Sequence, residues 1–423
     1  MHDVLIKNVR LWGRGDPCDL AIENGRFAAT GGADQARRTL DARGAMAIPG
    51  FVEPHIHLDK ALINQSIRQN MTGTLSEAIE IIWERKRRYT IEDVVSRASE
   101  VLDLAIQNGI TRLRTHADVD TIGGLKPIQG LLAARERYKD LIDIQIVAFP
   151  QEGILKNPGT EQLLDQALAL GADAIGGMPF NEKSPMDSWR HIEIAFALAR
   201  KFNVPVDMHV DETDDPGART LEMLADQTIA NGWQGRVNAG HTCALAAYPH
   251  AYAATVIQKV KQAGITMITL PVTNLVLQGR ADPEPRRRGI TRVKELLQAG
   301  VNVTFGQDCV RDTFYPFGRA DPLEVAAVSA HAAQMTLPQE IETVFAMCTR
   351  NAARACNVTD YDFTPGGAAD VVVLDARSPT EALVMHADCL FVIKRGRLLA
   401  ETKTVRTRHW GNAGSVELNS VHA

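Results

Sequence analysis

A chain of 423 residues with 45% hydrophobic and 23% charged side chains is soluble and globular in texture, and long enough for a large barrel carrying a smaller accessory domain. The net charge of -5 and a pI near 6.2 disfavour a long polyanion as partner, so no nucleic acid is expected. The six cysteines, Cys18, Cys243, Cys309, Cys348, Cys356 and Cys389, include no Cys-x-x-Cys pair, which fits free thiols in a reducing compartment. MHDVLIKNVR at the start lacks the apolar run of a signal peptide, and no stretch approaches ~20 apolar residues, so a cytoplasmic location without membrane contact is the expectation.

In chain order, residues 1–49 open with short alternating segments, DVLIKNVRLW, CDLAIENGRFAAT and RTLDARGAMAIPG, broken by Gly and Asp as in a small β-domain. Residues 50–362 then alternate short apolar runs with longer amphipathic ones, the signature of strand-helix repeats in a parallel sheet. Eight strands are predicted: AIPGFVEPHIHLD, TRLRTHADVD, IDIQIVAFPQE, AIGGMPF, PVDMHVDE, RVNAGHT, TMITLPVTN and VNVTFGQD. Between them SEAIEIIWERKRR, IEDVVSRASEVLDLAIQNG, EQLLDQALALG and HIEIAFALARKF read as helices, the second and third ending at a glycine suited to a C-cap. A helical stretch ends near Ala355. Residues 363–423 then resume the opening texture with PGGAADVVVLDA, an intervening turn and CLFVIKRGRLLAE. The expected fold is therefore α/β, a (β/α)8 TIM barrel with a small β-sandwich domain formed jointly by the two ends of the chain.

Polar residues close these strands. His55 and His57 close the first, Gln151 the third, His209 and Glu212 the fifth, His241 the sixth and Asp308 the eighth. A lone His-x-His is weak evidence, but the carboxyl ends of barrel strands converge on one face, where residues distant in sequence share one centre. His55, His57, His209 and Asp308 make a nitrogen-rich cage suited to one divalent ion, Zn2+ or Fe2+, which accept the same ligands. A bound hydroxide would complete the shell and serve as nucleophile.

With HIHLD, HVDE, GHT and GQD in these positions the sequence resembles the amidohydrolase superfamily, and TGTLSEAIEIIWERK, IDIQIVAFPQEGIL and RRRGITRVKELLQAGVNV carry a more specific resemblance to its cytosine deaminase branch. It spans nearly the whole chain. The resemblance implies metal ligation by His55, His57, His209 and Asp308, with Gln151 binding the lactam edge of a pyrimidine and the Leu75 backbone contacting the ring carbonyl. It further implies Glu212 as proton shuttle and His241 beside the metal-bound water, so that Glu212, His241 and Asp308 form the catalytic set. The implied reaction is hydrolytic deamination of a free nucleobase, cytosine or 5-methylcytosine, to uracil or thymine plus ammonia. Homo-oligomerisation is expected on the same ground.

Two departures bear on the substrate. Cys309 stands where cytosine deaminases usually have a second aspartate, and Phe314 where they have tryptophan. Both changes remove polarity near the pyrimidine C5 edge, which is the reason for expecting 5-methylcytosine to be tolerated or preferred, within the ~1 to 3 kcal/mol a methyl group commands.

Other functions fit less well. Hydantoinase-type hydrolases bridge two metals with a carboxylated lysine on strand four, and AIGGMPF has none. The zinc deaminases of cytidine need Pro-Cys-x-x-Cys, which DPCDLA lacks. Aminohydrolases of isoguanine, creatinine or N-alkyl triazines share the mononuclear site and stay as alternatives; a non-catalytic barrel scaffold would have lost ligands, and none is missing. His116, Asp118 and Asp59 are expected to pack behind the metal ligands, Arg286 to Arg288 to be a solvated or interface-facing cluster, and His191, His250, His331, His386 and His409 to be structural.

Overall fold

The structure is a computed structural model that describes residues 1–29, 35–408 and 416–418; His409 lies outside the described residues. The first strands are β1 (His2–Leu11), β2 (Cys18–Glu23), β3 (Arg26–Phe27), β4 (Ala36–Asp41) and β5 (Met46–Ile48). Val4, Ile6, Val9 and Leu11 of β1 bury their side chains against Ile22, Phe27 and Ala47, so a core forms from alternate positions of short strands.

Eight parallel strands follow: β6 (Phe51–Ile56), β7 (Ile110–Asp118), β8 (Asp143–Phe149), β9 (Ala174–Gly177), β10 (Val206–Val210), β11 (Val237–His241), β12 (Thr266–Thr269) and β13 (Val303–Phe305). Each pairs with the next in sequence order. Helices on the outside and side chains within cover both faces, and every residue of β6 is buried. The ring closes where the backbone N–H of Asp308 donates to the His55 carbonyl at 2.8 Å and His57 N–H donates to the Asp308 carbonyl at 2.9 Å. The molecule is thus a (β/α)8 barrel whose seam is stitched by three of the residues expected to hold the metal.

The last strands, β14 (Val371–Leu374), β15 (Cys389–Lys394) and β16 (Arg397–Glu401), add to the opening ones: β14 runs antiparallel to β5, and β5 parallel to β1. One mixed sheet in the order β16-β15-β14-β5-β1-β2-β3, with β4 on β1, therefore joins both ends of the chain in the β-sandwich domain. Among the described residues no helix is long and apolar enough to cross a membrane.

Two expectations change. TMITLPVTN is a strand only to Thr269; Pro271 opens a helix, Pro271–Leu277, because proline suits the first helical position and has no N–H to give a strand. The turn expected between β14 and β15 contains a helix, Pro379–Met385, capped by the Ser378 hydroxyl accepting from Glu381 N–H.

The barrel interior is ionic as well as apolar. Arg114 Nη1 donates to Asp207 Oδ2 at 2.8 Å, its Nε to Gln145 Oε1 at 2.9 Å, and Asn238 Nδ2 also donates to Asp207 Oδ2 at 2.8 Å. Both charges are buried. Arg114→Ala would strand a carboxylate in the barrel, so urea denaturation is expected to show a loss of about 3–5 kcal/mol, whereas Arg10→Ala on the β-domain surface, with a hydrogen bond only to the Gly15 carbonyl, should shift stability little.

Candidate functional site

The strand ends bring His55, His57, His209 and Asp308 together: one ligand atom from each lies within 4.8 Å of all the others. His57 Nε2 is 3.1 Å from His209 Nε2, and Asp308 Oδ1 lies 3.3 Å from His57 Nε2 and 3.5 Å from His55 Nε2. All four side chains are buried, and His55 keeps both ring nitrogens, with His57 and His209 each keeping Nδ1, without a hydrogen-bond partner. Burial, reinforced by neighbouring positive charge, holds His57 and His209 well below the usual histidine pKa, so both are neutral imidazoles. Buried polar atoms are rarely left unpaired. Three imidazoles and a carboxylate converging on one point fit a divalent ion.

Backbone strain is stored at the same place. Asp308 and His241 have φ of 61° and 64°, the left-handed region that side chains with a Cβ avoid. At Asp308 the two seam hydrogen bonds to β6 enforce it. The glycine before this loop, Gly306, admits nothing larger, since a Cβ there would stand 2.7 Å from both Glu53 Oε1 and the His55 carbonyl.

Glu212 and His241 face each other at 3.3 Å, Oε1 to Nδ1. Asn274, on the helix that replaces the end of strand seven, points Nδ2 at both, 3.0 Å from His241 Nδ1 and 3.4 Å from Glu212 Oε1. With Nδ1 accepting from the amide, His241 carries its proton on Nε2, an atom without a protein partner. Burial, aided by the nearby Asp308 charge, raises the Glu212 carboxyl well above the usual range. Burial acts the same way on Asp308, but the close approach of His55 and His57 outweighs it and holds this carboxylate well below its ordinary value. The pair thus has opposed proton affinities, one acid and one anion, as acid/base chemistry requires.

One cavity is lined at once by His57, His209 and Asp308, by Glu212 and His241, and by Gln151, Leu75, Cys309 and Phe314, along with Phe149, Met178 and Lys60. Every residue assigned to the site from sequence except His55 lines it; His55 sits beneath, fully buried. Leu75 begins the helix Leu75–Lys86, which Thr74 caps. Cys309 is a neutral thiol: burial and then the Asp308 and Asp312 charges push it well above the usual thiol pKa. Phe314 also lines a second, larger cavity with Asn64, Asn70 and Arg280, so its ring is the wall between the two.

Residues 38–400 match the amidohydrolase family model. The chain belongs to that family. A 5-methylcytosine deaminase from Klebsiella pneumoniae, solved with 5-fluorocytosine, is 36% identical to this amidohydrolase over 96% of this chain and 99% of its own, with a TM-score of 0.91. An N-isopropylammelide isopropylaminohydrolase from Burkholderia multivorans is 32% identical over 95% of this chain and 99% of its own, with a TM-score of 0.83. A pterin deaminase of Rhizobium rhizogenes is 31% identical, covering 88% of this chain and 84% of that protein.

The remaining polar residues of the amidohydrolase fall around this centre. His116 stacks 4.0 Å from His55, with Nε2 3.4 Å from Asp207 Oδ1. Asp59 accepts from Asp118 N–H at 2.9 Å. His191 accepts from Met178 N–H and meets Glu182 at 2.8 Å, well away from the ligands in sequence and bonded as a structural residue. Arg287 pairs with Asp282 while Arg286 and Arg288 are exposed. Strand β9 carries no lysine, and all six cysteines are free.

Sequence reasoning missed Asn274 and Lys60. Asn274 lies within a segment read as strand, where nothing distinguished it. Lys60 directly follows HIHLD, and nothing in the sequence shows that it is buried.

Purified protein reconstituted with zinc or ferrous iron is expected to bind about one ion per chain, at the His55, His57, His209 and Asp308 cage. His209→Ala and Asp308→Ala should each lose most of that metal by elemental analysis, whereas His191→Ala should keep it.

Proposed function

We propose that this amidohydrolase is a metal-dependent aminohydrolase that deaminates a free nucleobase, cytosine or 5-methylcytosine, to uracil or thymine and ammonia. The observation that carries this reading is the lining of one cavity, in which an acid/base pair, a nitrogen-rich ligand cluster and the Gln151 amide meet. The similarity to the Klebsiella enzyme over nearly the whole chain supports it.

Replacing an amino group on an aromatic ring carbon requires an activated water, a proton on the ring nitrogen and a proton on the departing amine. A divalent ion, zinc or iron, held by His55, His57, His209 and Asp308 supplies the activation by lowering the pKa of water toward neutrality. Asp308, held ionised, accepts the proton that water gives up. Glu212, held protonated by burial, delivers its proton to the ring nitrogen, then takes the proton the new hydroxyl gives up as the carbonyl forms and passes it to the amine, which leaves as ammonia; the proton on Asp308 restores Glu212. His241, with its tautomer set by Asn274, presents Nε2–H as a donor to the oxygen that develops on the attacked carbon. Gln151 orients the opposite edge of the ring, while the uncharged Cys309 and Phe314 leave the adjoining wall apolar.

That wall is the basis for placing a C5 methyl there. A neutral thiol and a phenyl ring welcome a methyl group that a carboxylate would not, within about 1–3 kcal/mol.

Ammonia release by the metal-loaded protein, compared as kcat/KM over cytosine, 5-methylcytosine, isoguanine, creatinine, pterin and N-alkyl triazines, tests the reading. 5-Methylcytosine is expected to lead, with cytosine gaining relative to it in Cys309→Asp/Phe314→Trp. No turnover of either pyrimidine would assign the pocket to another ring. Glu212→Gln should reduce kcat by about 10²–10⁴-fold with metal content unchanged.

A further inference from the structure

Lys60 is a buried cation in the wall of the catalytic cavity, and the chemistry just described gives it no task. Its Nζ donates to Asp118 Oδ1 at 2.8 Å and to Gln151 Oε1 at 2.5 Å. It lies 5.5 Å from the centroid of the Phe149 ring and 5.6 Å from that of Phe314, both of which line the cavity. Burial opposes the charge, yet Asp118 and Asp59 hold the ammonium above the ordinary lysine pKa. An ammonium has three protons to donate. Two are used, and no third acceptor stands within reach among the described residues.

The contact to Gln151 fixes that amide. With Oε1 accepting from Lys60, Nε2 is turned the other way, and it is an unpartnered donor on a side chain only 3% exposed. Asn181 Nδ2 donates to the Gln151 carbonyl at 2.8 Å and holds the backbone as well. Two adjacent open donors, one of them charged, therefore share a wall of the cavity. A ring edge that brings an N–H to this wall meets a cation; one that brings an oxygen meets two donors.

Lys60 is not needed merely to neutralise Asp118. Lys86, fully buried, already lies 2.9 Å from Asp118 Oδ2, besides 2.6 Å from Asp120 and 2.8 Å from Glu152. What Lys60 alone does is carry positive charge past Asp118 to the cavity and set the rotamer of Gln151.

We infer that Lys60 is a specificity-determining residue which, with Gln151 Nε2, binds the ring's oxo oxygen and favours rings in which that oxygen carries negative charge. The ligand class is the oxo-substituted nitrogen heterocycle with an acidic imide, bound as its monoanion ahead of the neutral ring of equal size. This rests on the cavity being the ring site proposed above, but it does not depend on which ring is turned over.

The test is binding rather than turnover. Zinc-loaded protein is titrated calorimetrically with barbiturate, an anion at neutral pH, and with uracil, which is neutral and similar in size. Barbiturate is expected to bind more tightly by roughly ten- to a hundred-fold, the range of a charge-assisted hydrogen bond in a buried site. Lys60→Met should abolish most of that preference by weakening barbiturate far more than uracil, with one zinc per chain retained, and Lys60→Arg should restore part of it. If Lys60→Met does not fold, Lys60→Met/Asp118→Asn removes charge and counter-charge together and carries the same expectation. Equal affinity of the wild-type protein for the two rings, a variant that weakens both alike, or no binding of either would overturn the inference. Loss of the pyrimidine reading is seen separately: no turnover of cytosine or 5-methylcytosine with the barbiturate preference intact would sink that reading and leave Lys60 in place.

Discussion

The seam of the barrel is the constraint on which the rest depends. Eight strands of unequal length close where the main chain of Asp308 bonds on both sides to the main chain of the His55-x-His57 segment. The same turn that shuts the ring forces Asp308 into the left-handed region and delivers its carboxylate to within reach of both imidazoles. Fold and metal site are therefore one geometric solution: a side chain change at Gly306 or Asp308 acts on ring closure and on ligand placement together. His209 and His241 are set beside each other by the parallel pairing of β10 with β11, and His241 takes the left-handed conformation where its strand ends.

Around this seam the protein buries an unusual amount of charge. Lys60, Lys86, Asp59, Asp118, Asp120 and Glu152 form a lattice with almost no solvent, and Arg114 with Asp207 forms another inside the barrel. Such pairs return little net stability, since desolvation consumes most of the attraction. What they provide is direction. Each lattice ends on a group that faces the site: Gln151 on one side, His116 and through its ring stacking His55 on the other. The acid Glu212 and the anion Asp308 can then differ in proton affinity within one cavity: at Asp308 the approach of His55 and His57 outweighs burial, whereas at Glu212 burial and the Asp308 charge prevail over Lys60 and the Asn274 amide.

Much of this was legible in the sequence, for a physical reason. Parallel barrel strands are short, apolar and separated by amphipathic helices, so the eight runs stand out, and polar residues that interrupt an apolar run at its carboxyl end stand out too. His55, His57, Gln151, His209, Glu212, His241 and Asp308 were found that way. Asn274 and Lys60 were hidden because their roles come from contacts across the barrel: Asn274 matters only once Pro271 turns the chain into a helix, and Lys60 only once it is seen to be dry. The helix Pro379–Met385 was missed between strands because a seven-residue element gives too little periodicity to read against its flanks.

The mixed sheet has a consequence for how the chain is made. Strand β5 exposes the edge that β14 will cover, yet β14 leaves the ribosome only after the whole barrel has been synthesised. The opening strands must wait, with an unpaired edge and an incomplete apolar face, while the ring assembles beside them. The small domain is then the last part to reach its final form, and its completion locks together the two ends of the polypeptide. Translation that stops short of residue 371 would leave a barrel sequence attached to half a sheet, a species marked for aggregation or removal by its naked strand edge.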